Sequence, residues 1–424
     1  MNQKYYEGLN EILYSCQMAN GLKVQVVPRR GFSRKLAYFV TDFGSIHTDF
    51  LLEGKEIQAP AGIAHFLEHK MFELPDRDVS AEFAALGANV NAFTSYDMTA
   101  YYFSCTENFL PSLHLLLEFV STPYFTEESV KREIGIIDQE IGMNADSPER
   151  VFENLMQAMY RNHPIRIPIL GSRESIRQIT PELLNECHRA FYTPANMILC
   201  VVGDVDPQQV LAVAREVLGE EKKEAGIKLR AWQEDMTCEQ NAVTMPMEVA
   251  MPNFQLGFKC ESVGSGEDAI RQEIIGDLAA EALFGESSEL YLQMYEEGLI
   301  DSSFGGGFET VDGCAMLTCG GDSEEAEKIR DAILTRAENL IKTGIDEADL
   351  LRMKRSALGR RIRDLDSFDS TCFRLCAYRL SNFDYFSFPS VYTGVTAAQV
   401  CAFIGKIVKK ERCALSIIQP RKQS

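Results

Sequence analysis

The chain has no C-x-x-C pair, no P-loop, no G-x-G-x-x-G fingerprint and no apolar run of transmembrane length. These absences leave no cysteine-pair metal or redox motif, no phosphate-cradling nucleotide loop and no membrane-spanning helix to expect. Positive charge is also short. Forty-two Lys and Arg against 62 Asp and Glu give a formal net charge of −20, which argues against a nucleic-acid partner. A surplus of acid suits basic peptides, although solubility alone accounts for it. The opening residues Met1-Asn2-Gln3-Lys4-Tyr5-Tyr6 are polar, so no signal peptide is expected. What is present is length and core material: 424 residues at 46% hydrophobic content suit two domains. The twelve cysteines are scattered, and Cys372 and Cys376 fall on one helical face; buried thiols of a cytoplasmic protein are the expectation.

Histidine is scarce, at six residues, and two of them stand in His65-Phe66-Leu67-Glu68-His69. This is H-x-x-E-H, the inverse of the commoner H-E-x-x-H zinc motif. At i and i+4 of a helix both imidazoles project from one face toward a single metal ion, and Glu68 lies beside them, placed to act on a water there. Pro60 suits the first turn of such a helix. Ile63, Phe66, Leu67 and Lys70 share the side that packs into a core, with His65, Glu68 and His69 roughly opposite. The alternative is a pair of ordinary histidines on a solvated face, with Glu68 bridged to Lys70 or Arg77.

A catalytic zinc needs a third protein ligand and an open fourth position. Residues 126–141 offer one. Thr126 suits an N-cap, Glu127 and Glu128 a first turn, and Val130, Ile134, Ile137 and Ile141 form an apolar stripe. Glu133 and Glu140 are seven apart, two turns from each other on one edge of that stripe. A carboxylate there can reach a metal held by a neighbouring helix. The alternative is a pair of surface acids, with Glu133 bridged to Lys131 or Arg132.

With these residues in place, the sequence resembles the inverzincin metallopeptidase family of pitrilysin, insulin-degrading enzyme and the mitochondrial processing peptidase. The resemblance extends over Asn20-Gly21-Leu22, Gly44-Ser45, Gly87-Ala88-Asn89-Val90-Asn91-Ala92-Phe93-Thr94-Ser95, Tyr192-Thr193-Pro194-Ala195-Asn196-Met197 and Val202-Gly203-Asp204-Val205. It is nearest to the zinc-carrying subunit of bacterial YmfF/YmfH-type pairs. It implies one Zn2+ per chain held by His65, His69 and Glu140, Glu68 as the catalytic base, and Glu133 orienting a ligating histidine. It also implies that Asn91, Ala92 and Phe93 lie on an edge strand that aligns extended substrate by main-chain pairing. The family's C-terminal domain usually carries an Arg and, seven residues on, a Tyr just after a Gly. With Gly298 as anchor, Leu292 and Leu299 stand at those positions. The implied protein is a zinc-dependent endopeptidase subunit, the catalytic half of a heterodimer whose homologous partner supplies the Arg and Tyr, with leader-peptide removal as its role. The main alternative is a non-catalytic structural or partner-binding subunit of the same fold. Loss of the zinc residues would mark that class, and all are intact. A zinc hydrolase of non-peptide substrates is a third reading.

The expected fold is α+β: two homologous α/β-sandwich domains, each a mainly antiparallel sheet covered by helices, forming half of a clamshell. Residues 1–222 are expected to form the zinc-binding domain, the charged, poorly periodic 223–240 a linker, and 241–424 a repeat without the metal site. Strands are expected near 22–28, 37–41, 90–94, 99–104 and 198–203, then near 253–260, 303–309 and 313–319. Helices are expected near 107–121, 207–218, 268–283, 323–342 and 346–364. Gly305–Gly307 and Gly320–Gly321 are expected at bulges and turns.

Overall fold

The computed structural model describes residues 1–75, 77–222 and 226–421. They fall into two compact units. The first comprises Met1–Gly142, Pro168–Arg230 and Ile362–Ser387, and the second Met143–Ile167, Ala231–Arg361 and the residues from Phe388 on.

In the first unit the strands are β1 (Asn2–Tyr6), β2 (Glu11–Gln17), β3 (Lys23–Pro28), β4 (Lys35–Thr41), β5 (Asp49–Leu52) and β6 (Lys55–Gln58). They continue with β7 (Glu73–Leu74), β8 (Arg77–Asp78), β9 (Ala88–Thr94), β10 (Thr99–Cys105), β11 (Met197–Gly203) and β12 (Ile227–Leu229). Seven of them form one sheet in the order β1-β2-β3-β11-β4-β10-β9, antiparallel except where β11 runs parallel to β3. The run Met197-Ile198-Leu199-Cys200-Val201-Val202-Gly203 is buried throughout, as befits a strand paired on both sides and covered on both faces. Leu199 and Val201 face a core shared with helices Ile63–Met71 (α1), Phe109–Val120 and Glu127–Asn144 (α2).

The second unit holds β13 (Ala242–Met247), β14 (Asn253–Cys260), β15 (Gly305–Val311), β16 (Cys314–Asp322) and β17 (Cys413–Pro420), ordered β13-β17-β14-β16-β15. Only β13 and β17 are parallel. The five strands β3, β4, β9, β10 and β11 of the first sheet follow the same rule: first, fifth, second, fourth, third, with only the first and fifth parallel. The two halves are thus repeats of one α+β design with mainly antiparallel sheets.

The halves exchange one helix each. Arg150–Met159 (α3) comes from the N-terminal half and packs on β14 and β17 of the second unit. Gly257 marks the closeness, since a Cβ there would stand 2.5 Å from Met159 Sδ. Phe368–Leu380 (α4) comes from the C-terminal half and packs on β4 and β11 of the first, the equivalent strands. There Cys372 and Cys376 are fully buried beside Cys200, so they are core thiols. The contiguous split 1–222 and 241–424 therefore does not describe how the chain packs. Nor does the linker: residues 223–225 lie outside the described residues, but β12 pairs with β5, and Ile227 packs against the first unit's core. Charged flanks hid a three-residue strand. Gly305–Gly307 and Gly320–Gly321 lie inside paired strands rather than at turns; a Cβ on Gly306 would meet the Thr318 carbonyl oxygen at 2.0 Å.

Candidate metal centre

Two glycines set where α1 begins. Gly62 caps it at φ +91°, with the Leu170 carbonyl oxygen 2.5 Å from where a Cβ would stand. Gly171, at φ +72°, faces the Ala61 carbonyl oxygen in the same way at 2.4 Å. Neither position accepts an L side chain without strain. Pro60 lies in the turn before the helix, not in its first turn, and its carbonyl accepts from Ile63 N–H at 3.2 Å. Ile63, Phe66, Leu67 and Lys70 are buried on the core side, and His65, Glu68 and His69 occupy the other. α2 begins as its composition suggests. Thr126 Oγ1 accepts from Ser129 N–H at 3.2 Å, and Val130 and Ile137 are buried.

The two helices bring three ligand-type side chains together. Atoms of His65, His69 and Glu140 lie within 4.8 Å of one another. His65 Nε2 is 3.7 Å from Glu140 Oε1, and His69 Nε2 is 3.8 Å from Glu140 Oε2. These separations are too long for hydrogen bonds. They slightly exceed the edge of about 3.3 Å traced by ligands bound tetrahedrally to zinc. Two imidazoles and one carboxylate are also a donor set of catalytic zinc, with one position left open. The donor set fits a zinc ion once the three side chains draw together from these separations.

Glu133 stands behind this trio. Its Oε1 accepts from His69 Nδ1 at 2.9 Å, which leaves Nε2 as the lone-pair nitrogen facing Glu140. Glu133 is buried, and the bridge to Lys131 or Arg132 does not form; Arg132 reaches Glu73 instead. Glu68 makes neither of its alternative bridges. Lys70 pairs with Glu73, and Arg77 with Glu82 and Glu118. Glu68 Oε2 accepts from Thr94 Oγ1 at 2.7 Å. Sequence reasoning named only the edge-strand block that contains Thr94. The signal was available in strand alternation, which turns Thr94 and Ala92 toward α1 and Asn91 and Phe93 away from it.

Among the described residues β9 lies at the edge of its sheet and pairs only with β10. Phe93 packs among Tyr38, Tyr102 and Phe373. Ala92 N–H is bonded by the side chain of Asn91 at 2.8 Å. Of this block, Thr94 is the residue the structure joins to Glu68; the side chains of Asn91 and Phe93 belong to the opposite face of the strand.

Burial, and then the neighbouring His69, hold His65 down at about 4, so it is neutral and free to ligate at pH 7. Its Nδ1 is buried and meets no hydrogen-bond partner among the described residues. Burial works against a charged His69 too, but the hydrogen bond and charge of Glu133, with Glu68 and Glu140, outweigh it and raise that imidazole above its usual value. A metal ion competes there with a proton. Burial raises the Glu68 carboxyl, with the Thr94 hydrogen bond and His69 opposing.

Comparison with known proteins agrees with this arrangement. The model of Insulinase (Peptidase family M16) matches residues 54–173, and that of the Peptidase M16 inactive domain matches residues 178–357. YmfH of Bacillus subtilis (strain 168), an uncharacterized zinc protease, is 37% identical over 98% of this chain and 98% of its own. YmxG of the same organism, also an uncharacterized zinc protease, is 27% identical over 84% of this chain and 85% of its own. The crystal structure of a putative M16-like peptidase from Alicyclobacillus acidocaldarius superposes with a TM-score of 0.93 at 33% identity, covering 97% of this chain and 99% of that one. Near-complete coverage by a relative at this identity, on a chain whose two helices converge on His65, His69 and Glu140, shows that it belongs to the insulinase family of zinc proteases, peptidase family M16.

Proposed function

We propose that this chain is a zinc-dependent endopeptidase subunit that hydrolyses peptides with His65, His69 and Glu140 as metal ligands and Glu68 as general base. The supporting observation is the convergence of those three ligands beside a buried carboxylate held by Thr94. Bound there, zinc supplies a Lewis acid for the scissile carbonyl and draws the pKa of a water toward neutrality. Glu68 takes the proton of the attacking water and returns it to the leaving amine. Thr94 restricts that carboxylate to one orientation, and burial strengthens it as a base. Glu133 fixes the ring of His69. The open edge of β9 aligns extended substrate through the main chain of Asn91, Ala92 and Phe93.

The partner is part of the proposal. Leu292 lies on the helix Glu289–Glu296 and is 52% exposed, and Gly298 ends that helix at φ +69°, which supports Gly298 as the anchor. With Leu292 and Leu299 in place of Arg and Tyr, a homologous subunit supplies the substrate contacts of the second wall, and leader-peptide removal in the cytoplasm is the step this pair serves. All twelve cysteines are free thiols, in keeping with a reducing compartment. The test is metal content together with peptide cleavage by the chain, alone and with its genomic neighbour. Glu68→Gln is expected to retain one zinc and lose cleavage. Wild-type turnover by that variant would remove Glu68 from its role. A chain that binds zinc yet cleaves nothing in any pairing supports the non-catalytic reading.

A further inference from the structure

One charged network near the metal centre is not used by the chemistry above. Lys70 follows His69 directly, yet its side chain faces the core and is fully buried. A buried ammonium requires a carboxylate partner. That partner is Glu73, on the short strand β7 just beyond the end of α1. The other oxygen of Glu73, Oε1, accepts from Arg132 of α2 at 2.7 Å. Burial alone would raise the Glu73 carboxyl; its bonds to Lys70 and Arg132 hold it below the usual range, so it stays charged and bridging.

The geometry points to Glu73 as a positioning residue for the metal site: it bridges Lys70 of α1 to Arg132 of α2 and so sets the register at which α2 presents Glu140. The inference rests on the zinc-site reading. Arg132 and Glu133 are adjacent, so they leave the helix about 100° apart. Arg132 engages Glu73, and Glu133 engages His69 Nδ1. Two contacts in different directions fix both the rotation of α2 and its position along its own axis. Glu140 lies two turns on, about 10.5 Å farther along the same rigid element and nearly in line with Glu133. Arg132 is 57% exposed, so its pair with Glu73 adds little to stability and acts mainly through direction. The buried Lys70 supplies the anchoring at the other end.

Zinc affinity of the full chain, measured by competition with a chromophoric chelator, tests this. Glu73→Gln is expected to weaken zinc binding about tenfold, the lower end of what residues supporting metal ligands contribute. Arg132→Gln should weaken it likewise, and Arg132→Lys should recover most of the loss. In the metal-free chain, Glu73→Gln should also speed amide hydrogen exchange across residues 127–144. Since Glu73→Gln strands a buried ammonium, the double variant Lys70→Met with Glu73→Gln is the companion: thermal stability should return while zinc affinity stays low. Wild-type affinity in either Glu73 variant, with the wild type binding zinc normally, overturns this inference alone. A wild-type chain that binds no zinc overturns the metal-site reading and the positioning role with it.

Discussion

Glu133 and Glu140 are chemically identical and two turns apart on α2, yet their surroundings assign them different work. Glu140 turns both oxygens toward the Nε2 atoms of His65 and His69, while Glu133 is spent on the far nitrogen of His69. Replacing Glu140 by Gln removes a charged donor from the metal itself. Replacing Glu133 by Gln leaves all three donors and loosens one ring. Zinc affinity is therefore expected to fall about 10–100-fold for Glu133→Gln and substantially further for Glu140→Gln. Equilibrium metal titration of the two variants checks the ranking, and the reverse order would move the third ligand to Glu133. Helical spacing puts the histidine pair on one face and these two acids on one edge, and the resemblance to the inverzincin family assigns their separate roles. Glu73 was not legible, because its bridge acts across a gap between elements that no local period encodes, and strand alternation could place Thr94 on the face toward α1 without naming Glu68 as its partner.

Among elements, the helix Pro207–Leu218 and the strands β9, β10, β14 and β16 follow directly from period and punctuation. The exchange of α3 and α4 does not. The apolar stripe Val151, Leu155, Met156 and Met159 says that α3 buries one face, but nothing local says which sheet receives it. A buried ion pair ties its end to β14. Lys259, 1% exposed, donates to the Met159 carbonyl at 2.9 Å and to Glu234 at 2.7 Å. Glu234 in turn accepts from the backbone N–H groups of Arg161, Asn162 and His163. Burial would raise the Glu234 carboxyl, but Lys259 and those N–H groups prevail and hold it below its ordinary value. A depressed carboxyl contributes stability that is present above the unfolded-state value of about 4.3 and is lost as pH falls through the folded one. Glu234→Gln is expected to cost about 3–5 kcal/mol at pH 7, since it strands a buried ammonium. Thermal unfolding should show the wild-type and variant curves converging below about pH 4. A gap that persists at acid pH would mean that the carboxylate charge is not what secures α3.

At the scale of the whole molecule, the described residues offer one group of metal-ligand side chains for two repeated sheets. All six histidines precede residue 189, so residues 241–424 keep the strand order but supply no imidazole of their own; His163 of the second unit comes from the N-terminal half. The helix Glu289–Glu296 carries leucine at 292 where the family resemblance places arginine. The purified chain is accordingly expected to cleave peptides slowly. Mixing with a homologous subunit that retains the arginine and tyrosine should raise the rate by orders of magnitude, because positioning alone carries about 7–11 kcal/mol in favourable cases. A rate unchanged by the partner would show that this chain supplies the whole site.

The exchanged helices also make the order of synthesis matter. Ile198, Cys200 and Val202 are fully buried on the face of the first sheet that α4 covers, and α4 does not begin until residue 368. A ribosome that has finished the first sheet still has more than a hundred residues to translate before the cover for that face emerges. Until then the nascent chain displays an apolar sheet face to the cell, a template for aggregation that a trigger-type holdase would have to shield. A fragment ending at Arg230, although it contains every metal ligand, is therefore expected to be insoluble when made alone and to be rescued by co-expression of the remainder. A soluble, zinc-binding 1–230 fragment would show that the borrowed helix is dispensable.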